Sequence, residues 1–586
     1  MHLYKSLWQQ ILPHRRSQVF LLLVMMVIAS FAELISIGAV LPFLSVLMSP
    51  ERVFVNPIIQ PFIKVLNIEA PAQLLLPLTT VFIVAALFCG AIRLILLWMQ
   101  TRLGFAIGAD MSIQIYKNIL YQPYSMHVAR NSSEVISSIS TKTNTVIYGV
   151  LQPILVILSS GLILITILFA LVSIYPILAI SAFSGFGAIY ALIVFSTKKR
   201  LKFDSQRVSI ESNKVIKALQ EGLGGIRDVL IDGTQATYCK IYSDADQPLR
   251  RSQANIQIIG GAPRFLIESM GMALIAILAY GLARGDGGIA SAVPVLGVLA
   301  ISAQRILPLL QQIYYSWSSI QGSQSSLADV LELLEQPACD SEKDATPLPI
   351  RFDKSIQLRQ ISFRYGNDAP LILQGLNLEI PRGARIGFMG TTGSGKSTLL
   401  DLVMGLLNPT EGTLAIDDIP LTGINYRAWQ SHIAHVPQSI FLADTTIAQN
   451  IAFGIRPEKI DYEKVRIAAG KAQIAQTIEC WDHQYETMVG ERGVRLSGGQ
   501  RQRIGIARAL YKQADVIVFD EATSALDNET EHAVMQTINL LGKDVTIFFV
   551  AHRLTTLKEC DLIVELESGK IKCIGSYSDL IKKSST

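Results

Sequence analysis

The chain is 586 residues long, 50% hydrophobic and only 17% charged, with a mean hydropathy of +0.38, so it reads as neither an ordinary soluble protein nor a disordered one. Its net charge of +4, from 51 Lys and Arg against 47 Asp and Glu, offers no basic field to nucleic acid, and no nucleic-acid partner is expected. Six cysteines, Cys89, Cys239, Cys339, Cys480, Cys560 and Cys573, lie far apart with neither CxxC nor Cys/His ligand spacing. They read as scattered thiols rather than a zinc site or a disulfide framework.

Residues 3–12 place Leu3, Tyr4, Leu7, Trp8, Ile11 and Leu12 at helical spacing, which suits either a helix lying on a membrane or a soluble amphipathic one. Six apolar runs follow, at about 18–48, 74–98, 146–171, 174–197, 265–283 and 288–312, and predict six transmembrane helices. Ser30-Phe31-Ala32 resembles a signal-peptide cleavage site, but the apolar character continues past Glu33 to Leu47, so a retained span is expected. The stretch 198–255 is rich in Lys and Arg, from Lys198, Lys199 and Arg200 to Arg250 and Arg251, whereas the turn near Ser173 has no basic residue. The positive-inside rule puts 198–255 in the cytosol, and with it the N-terminus and the C-terminal half.

After a membrane domain over 1–325, polar composition assigns 326–345 to a linker and 346–586 to a second domain. There, β-like runs such as Arg385–Met389 and Asp515–Phe519 alternate with helical stretches, which predicts an α/β fold.

Gly390-Thr391-Thr392-Gly393-Ser394-Gly395-Lys396-Ser397-Thr398 matches G-x-x-x-x-G-K-[ST] between a strand-like and a helix-like run, the context a phosphate-binding loop requires. Glycines let backbone N–H groups close around phosphates at a helix N-terminus, Lys396 reaches the terminal phosphates, and the Ser397 hydroxyl can ligate Mg²⁺. Farther on, a hydrophobic run ends in Asp520-Glu521. Asp520 is expected to hold the metal, directly or through water, and Glu521 to act as general base toward an attacking water.

Between these elements lies Leu496-Ser497-Gly498-Gly499-Gln500, which resembles the signature motif of ATP-binding-cassette (ABC) proteins. Tyr365, Gln438 in Val436-Pro437-Gln438, Ser524-Ala525-Leu526-Asp527 and His552 stand in the family's order. With six preceding spans the whole chain resembles an exporter-type half-transporter: a polytopic α-helical membrane domain of the type I exporter fold, then an α/β P-loop nucleotide-binding domain. The resemblance implies an ATPase with ATP and Mg²⁺ as cofactors. Tyr365 would stack on adenine, Gln438 would touch metal or water, and His552 would donate toward the γ-phosphate, with Asp527 also near the nucleotide. Ser497, Gly498, Gly499 and Gln500 would meet the ATP bound by an opposing subunit, so a second copy of the chain is the expected partner.

Charge is costly in hydrocarbon, which singles out Glu33, Arg93, Arg264, Glu268 and Arg305. Arg93, Arg264 and Arg305 fall at positions that can share one level and would suit an anionic group such as a pyrophosphate. Equally, they can snorkel at the interface, with Arg264 paired to Glu268 one turn on. The membrane half resembles bacterial flippases for polyprenyl-pyrophosphate-linked oligosaccharides in Glu221–Val229 and in the segment 53–66, which implies a lipid-linked cargo and a bacterial inner membrane. An exporter of drugs, lipids or peptides stays open. So does an ATP-gated channel or receptor subunit, although a hydrolytic base at Glu521 argues for a motor.

Overall fold

The computed structural model describes residues 2–48, 51, 54, 70–174, 176–283, 288–336, 350–366, 368–423, 425–521, 528–539, 541–542, 544–550 and 557–579. The chain divides into two units: residues 1–122 with 130–338, and residues 339–586 with the short segment 123–129.

The first unit is helical. A short α1 (His2–Gln10) precedes α2 (Pro13–Met48) and α3 (Leu75–Leu120). The six-residue α4 (Tyr124–Ala129) belongs to the second unit. Next come α5 over 132–174, α6 (Pro176–Gly224), the short α7 (Ile226–Ile231), α8 (Gln235–Ala283), α9 (Gly288–Gly322) and α10 (Gln324–Glu335). The expected spans 18–48, 146–171, 265–283 and 288–312 fall within long helices, whereas 74–98 begins one residue before α3 and 174–197 begins at the end of α5. Among the described residues, Pro13–Ser36, Leu75–Leu120 and Ser132–Ser173 are long and apolar enough to cross a membrane. The helices outrun the apolar runs: α6 and α8 have 49 residues each, roughly 70 Å at 1.5 Å per residue and more than twice a bilayer core. Glu221–Val229 forms the end of α6 and the start of α7, where Gly225 N–H donates to Glu221 O at 3.0 Å. Of the segment 53–66, only Phe54 lies within the described residues.

Two expectations change. The stretch from 326, expected as linker, is helix as far as Glu335, and Leu327, Val330, Leu331 and Leu334 are buried there. Their 3–4 spacing is that of an amphipathic helix, masked in composition by Ser323, Ser325 and Ser326. The same apolar stripe takes up α1: Leu7 and Ile11 share its core cluster, with Leu3 and Tyr4 against it, so this part of the apolar face of α1 packs on protein, while Trp8 and Leu12 stay exposed.

Polar contacts tie α5, α6 and α10 together. Two π turns, Ser138–Lys142 and Ile147–Leu151, interrupt α5. The first carries Lys142, a buried lysine whose Nζ lies 2.7 Å from Asp329 Oδ2 on α10, and Ser209 Oγ on α6 donates to the same carboxylate. An ammonium this deeply buried needs such a counter-charge. Replacing it (Lys142→Met) leaves the Asp329 carboxylate with the Ser209 hydroxyl but without this counter-charge, and is expected to destabilise the membrane unit by about 1.5–3 kcal/mol. Thermal unfolding in detergent reads the loss, and an unchanged midpoint would show that the pair holds nothing.

The second unit contains two sheets. β1 (Ser355–Phe363), β2 (Leu373–Pro381), β4 (Glu411–Ile416) and β5 (Ile419–Pro420) form an antiparallel sheet in the order β2-β1-β4-β5. β3 (Arg385–Gly390), β6 (Ile433–Val436), β7 (Val516–Asp520), β8 (Thr546–Val550), β9 (Leu562–Glu567) and β10 (Lys570–Gly575) form the other, in the order β10-β9-β3-β8-β7-β6. All its pairs are parallel except β9–β10. β7 and β8 read as continuous apolar runs because both faces are covered. Phe388 stacks on Phe548, and Phe519 on Phe549. The helices are α11 (Lys396–Val403), α12 (Tyr426–Ser431), α13 (Ile447–Ile451), α14 (Tyr462–Lys471), α15 (Ala475–Glu479), α16 (Gly498–Lys512) and α17 (Asn528–Asn539). Because β3, β6, β7 and β8 run parallel, the loops after them emerge at one edge of the sheet, where ligands of such folds bind.

Candidate nucleotide site and membrane cavity

The phosphate loop joins β3 to α11, and two of its glycines have no substitute. Gly390 has φ +148°, and a Cβ there would collide with Leu566 O. Gly395 has φ +99°, and its Cβ would meet Leu373 Cδ2 at 2.6 Å. Lys396 Nζ donates to Gly390 O at 2.8 Å and Thr391 O at 2.9 Å, so the loop's own carbonyls hold the ammonium where a phosphate would compete for it. Ser394 Oγ is buried and has no hydrogen-bond partner among the described residues, so a phosphate oxygen would satisfy it. Thr391, Thr392, Gly393 and Ser397 are exposed along the loop and the first turn of α11, while Thr398 is buried. Tyr365 is half exposed. Its hydroxyl lies 3.3 Å from Thr398 Oγ1 and its ring stands edge-on to Phe363, so an aromatic face borders the loop.

Asp520 ends β7, and Glu521 follows in a left-handed conformation, φ +49°, which a non-glycine residue holds only when its surroundings impose it. Three contacts hold the residue, two at its backbone, which set φ, and one at its carboxylate. Glu521 N–H donates to Val550 O at 3.0 Å, Gln502 Nε2 on α16 donates to Glu521 O at 3.4 Å, and Gln438 Nε2 donates to Glu521 Oε2 at 2.6 Å. The structure therefore brings Gln438 and Glu521 together, although 83 residues separate them. Ser397 Oγ, the Gln438 amide oxygen and the Asp520 carboxylate are oxygen donors of the kind a small hard cation takes. Among the described residues, no group of three His, Cys, Asp or Glu forms a metal cluster. His552 and Asp527 lie outside the described residues.

Asp401, one turn beyond Ser397 on α11, is a residue that motif reading passed over. Burial pushes its carboxyl up to about 6, and the charge of Asp520 adds to the rise. Between its unfolded value near 3.8 and about 6 the folded chain binds the extra proton, so this group makes stability fall as pH rises through that window. Asp401→Asn is expected to flatten that slope and to raise stability near pH 7.5 by about 1–2 kcal/mol. Unfolding midpoints from pH 4 to 8 check it, and an unaltered slope counts against the assignment.

Ser497 caps α16 through a reciprocal pair: Gln500 N–H donates to Ser497 Oγ at 3.2 Å, and Ser497 N–H donates to Gln500 Oε1 at 2.9 Å. Arg501 fixes the approach by donating to Gly493 O and Leu496 O. Ser497 and Gly498 are exposed and Gly499 and Gln500 half-buried, at the positive end of a 15-residue helix. Among the described residues, no hydrogen bond links this helix start to the phosphate loop of its own chain. The structure thus brings Gln438 to Glu521 and leaves the start of α16 exposed.

In the first unit, Arg93 on α3 and Arg264 on α8 line one cavity of about 1180 Å³ together with Glu268, Gln311 and Gln312. Arg93 Nη1 lies 3.6 Å from the buried Glu33 carboxylate, which also accepts from Cys89 Sγ. Arg264 Nε donates to Glu268 Oε1 at 2.8 Å and Gln311 Nε2 to the same oxygen at 3.2 Å. The pairing of Arg264 with Glu268 and its placement on a cavity are therefore both real. A guanidinium has five donors, and one carboxylate does not exhaust them. The Arg305 side chain lies outside the described residues.

Residues 17–309 match the family model for the ABC transporter transmembrane region, and residues 373–524 match the ABC transporter model. The chain is 31% identical over 516 residues to an ATP-dependent lipid A-core flippase of Chromohalobacter salexigens, covering 88% of each chain. It is 28% identical over 528 residues to the protein of that name in Alkalilimnicola ehrlichii, covering 89% of this chain and 88% of the relative. Its fold superposes on a bacterial Atm1-family ABC exporter with ATP bound at a TM-score of 0.77 and 22% identity, across 97% of this chain and 96% of the other. The chain belongs to the ABC transporter family, as an exporter whose transmembrane region precedes a cassette that hydrolyses ATP to drive translocation.

Proposed function

We propose that two copies of this chain form a flippase in a bacterial inner membrane, with six spans per copy and the cassettes in the cytosol, moving a lipid whose head group carries an anionic linkage. A polyprenyl-pyrophosphate-linked oligosaccharide is the favoured cargo. The observation that carries this is the pair of guanidinium groups, Arg93 and Arg264, on one cavity of a membrane region. The names of the relatives, lipid A-core flippases, support a lipid cargo over a drug or peptide.

Each ATP is held by Tyr365 and by Gly390 to Thr398 of one copy and by Ser497 to Gln500 of the other, with Asp527 near the junction. Lys396 leaves its carbonyl partners for the terminal phosphates, and the Ser394 hydroxyl gains an acceptor. Glu521, oriented by Gln438 and Gln502, takes the proton of the attacking water, while His552 donates toward the γ-phosphate. Ser397, Gln438 and Asp520 would hold Mg²⁺, which when bound spreads the charge developing on the phosphate oxygens.

Replacing Arg93, Arg264 and Arg305 together by Ala is expected to impair flipping of a fluorescent pyrophosphate-linked lipid in proteoliposomes at least tenfold, with basal ATPase nearly unchanged, since charge-assisted hydrogen bonds contribute about 1.5–3 kcal/mol each. Lysines at the three positions keep charge but lose the bidentate fork, and should give an intermediate defect. Wild-type flipping by a folded triple alanine variant would overturn the cargo reading.

A further inference from the structure

A second cavity, of about 600 Å³, adjoins the first, and Tyr148, Gly260 and Tyr315 line both. Its chemistry is different. The first holds Arg93, Arg264 and Glu268; the second, between α5, α6, α8 and α9, has no Asp, Glu, Lys, Arg or His among the described residues of its lining. It offers hydroxyls and amides instead, among them Thr141, Asn144, Gln257 and Ser319. Asn144 and Gln257 are exposed, and neither side chain makes a hydrogen bond among the described residues. Two primary amides thus present donors and acceptors together without a protein partner.

At the neck, Tyr148 and Tyr315 are 63% and 50% exposed, and they bring flat apolar faces to a polar chamber. Gly260 keeps the neck open: a Cβ there would press to 3.1 Å from the Tyr315 ring. Gly322 lets α9 approach α8, since a Cβ there would meet Ile256 at 2.6 Å.

We propose that this chamber is a binding subsite for an uncharged sugar, whose anionic linkage sits in the adjoining arginine cavity. Paired donors and acceptors, aromatic platforms and no formal charge are what a neutral pyranose demands, because each buried hydroxyl needs a hydrogen bond and its C–H face needs an apolar surface. A phosphate or carboxylate would find no counter-charge here. The volume falls in the roughly 300–1,000 Å³ range of small-ligand sites. This assignment rests on the lipid-cargo reading above and adds where the head group is recognised.

The test uses full-length protein in phosphatidylcholine nanodiscs and two probes: a polyprenyl pyrophosphate, and the same lipid bearing a neutral trisaccharide. The glycosylated probe should bind wild type about tenfold more tightly than the bare one. Asn144→Ala/Gln257→Ala should erase that advantage and leave the bare probe's affinity unchanged. Gly260→Ala, which narrows the neck without removing a polar group, should also weaken only the glycosylated probe. Equal binding of both probes by wild type, or an undiminished sugar advantage in both variants, overturns the sugar subsite while the lipid-cargo reading stands. Binding of neither probe above a phospholipid control overturns that reading, and the subsite with it.

Discussion

Glu521→Gln is expected to lower ATP turnover about 10²–10⁴-fold, the range that a positioned general base supplies, while nucleotide affinity stays close to wild type. The expectation follows from how Glu521 is held. Its left-handed φ is set by the backbone bond to Val550 and the bond from Gln502, neither of which involves its side chain. Gln438 Nε2 can donate to a glutamine oxygen as it does to Glu521 Oε2. The variant therefore keeps shape and contacts and loses only the ability to accept a proton. Lost base strength with intact binding should accumulate the ATP-bound closed dimer. Single-turnover hydrolysis beside equilibrium nucleotide binding separates the two effects, and near-normal turnover would remove Glu521 from the role of base.

What was legible in the sequence was what covalent neighbours encode. The phosphate loop is nine consecutive residues whose glycines and lysine act where they stand, and the structure places them between β3 and α11 as their spacing predicts. Asp520-Glu521 was legible because a buried parallel strand is a plain apolar run. Asp401 was not, since its charge matters only through Asp520, a neighbour brought near by the fold. Gln502 was likewise hidden: a glutamine in a helix has no signature until β7 ends beside it. In the membrane region, the apolar runs coincide with stretches of long helices but stop short of the helix ends, because α3, α6 and α8 continue beyond them as helices with polar faces. That Arg93 and Arg264 line one cavity accords with their positions in the apolar runs. The partnership of Arg93 with Glu33 could not, since it depends on how α2 packs on α3.

Mixing two disabled chains is expected to restore activity that neither has alone. Lys396→Ala removes the ammonium proposed to reach the terminal phosphates, and Ser497→Arg places a bulky cation where the proposed dimer brings the signature helix to the γ-phosphate and destroys the reciprocal cap with Gln500. Homodimers of either variant carry two defective sites. If each site takes its loop from one copy and its signature from the other, the heterodimer places both defects in the same sandwich and leaves the second sandwich wild type. Co-reconstituted chains with different affinity tags, purified through both, should then occlude one nucleotide per dimer, whereas each homodimer occludes none. If the signature served the loop of its own chain, both sites of the heterodimer would be damaged and no nucleotide would be occluded. The exposed start of α16, with Ser497 and Gly498 open to solvent, is compatible with the first outcome. The cap matters to the design as well. Ser497→Ala removes the cap hydroxyl without adding bulk, so it should cost about 1 kcal/mol of local helix stability and leave partial occlusion, which separates loss of the cap from steric exclusion of the partner's nucleotide.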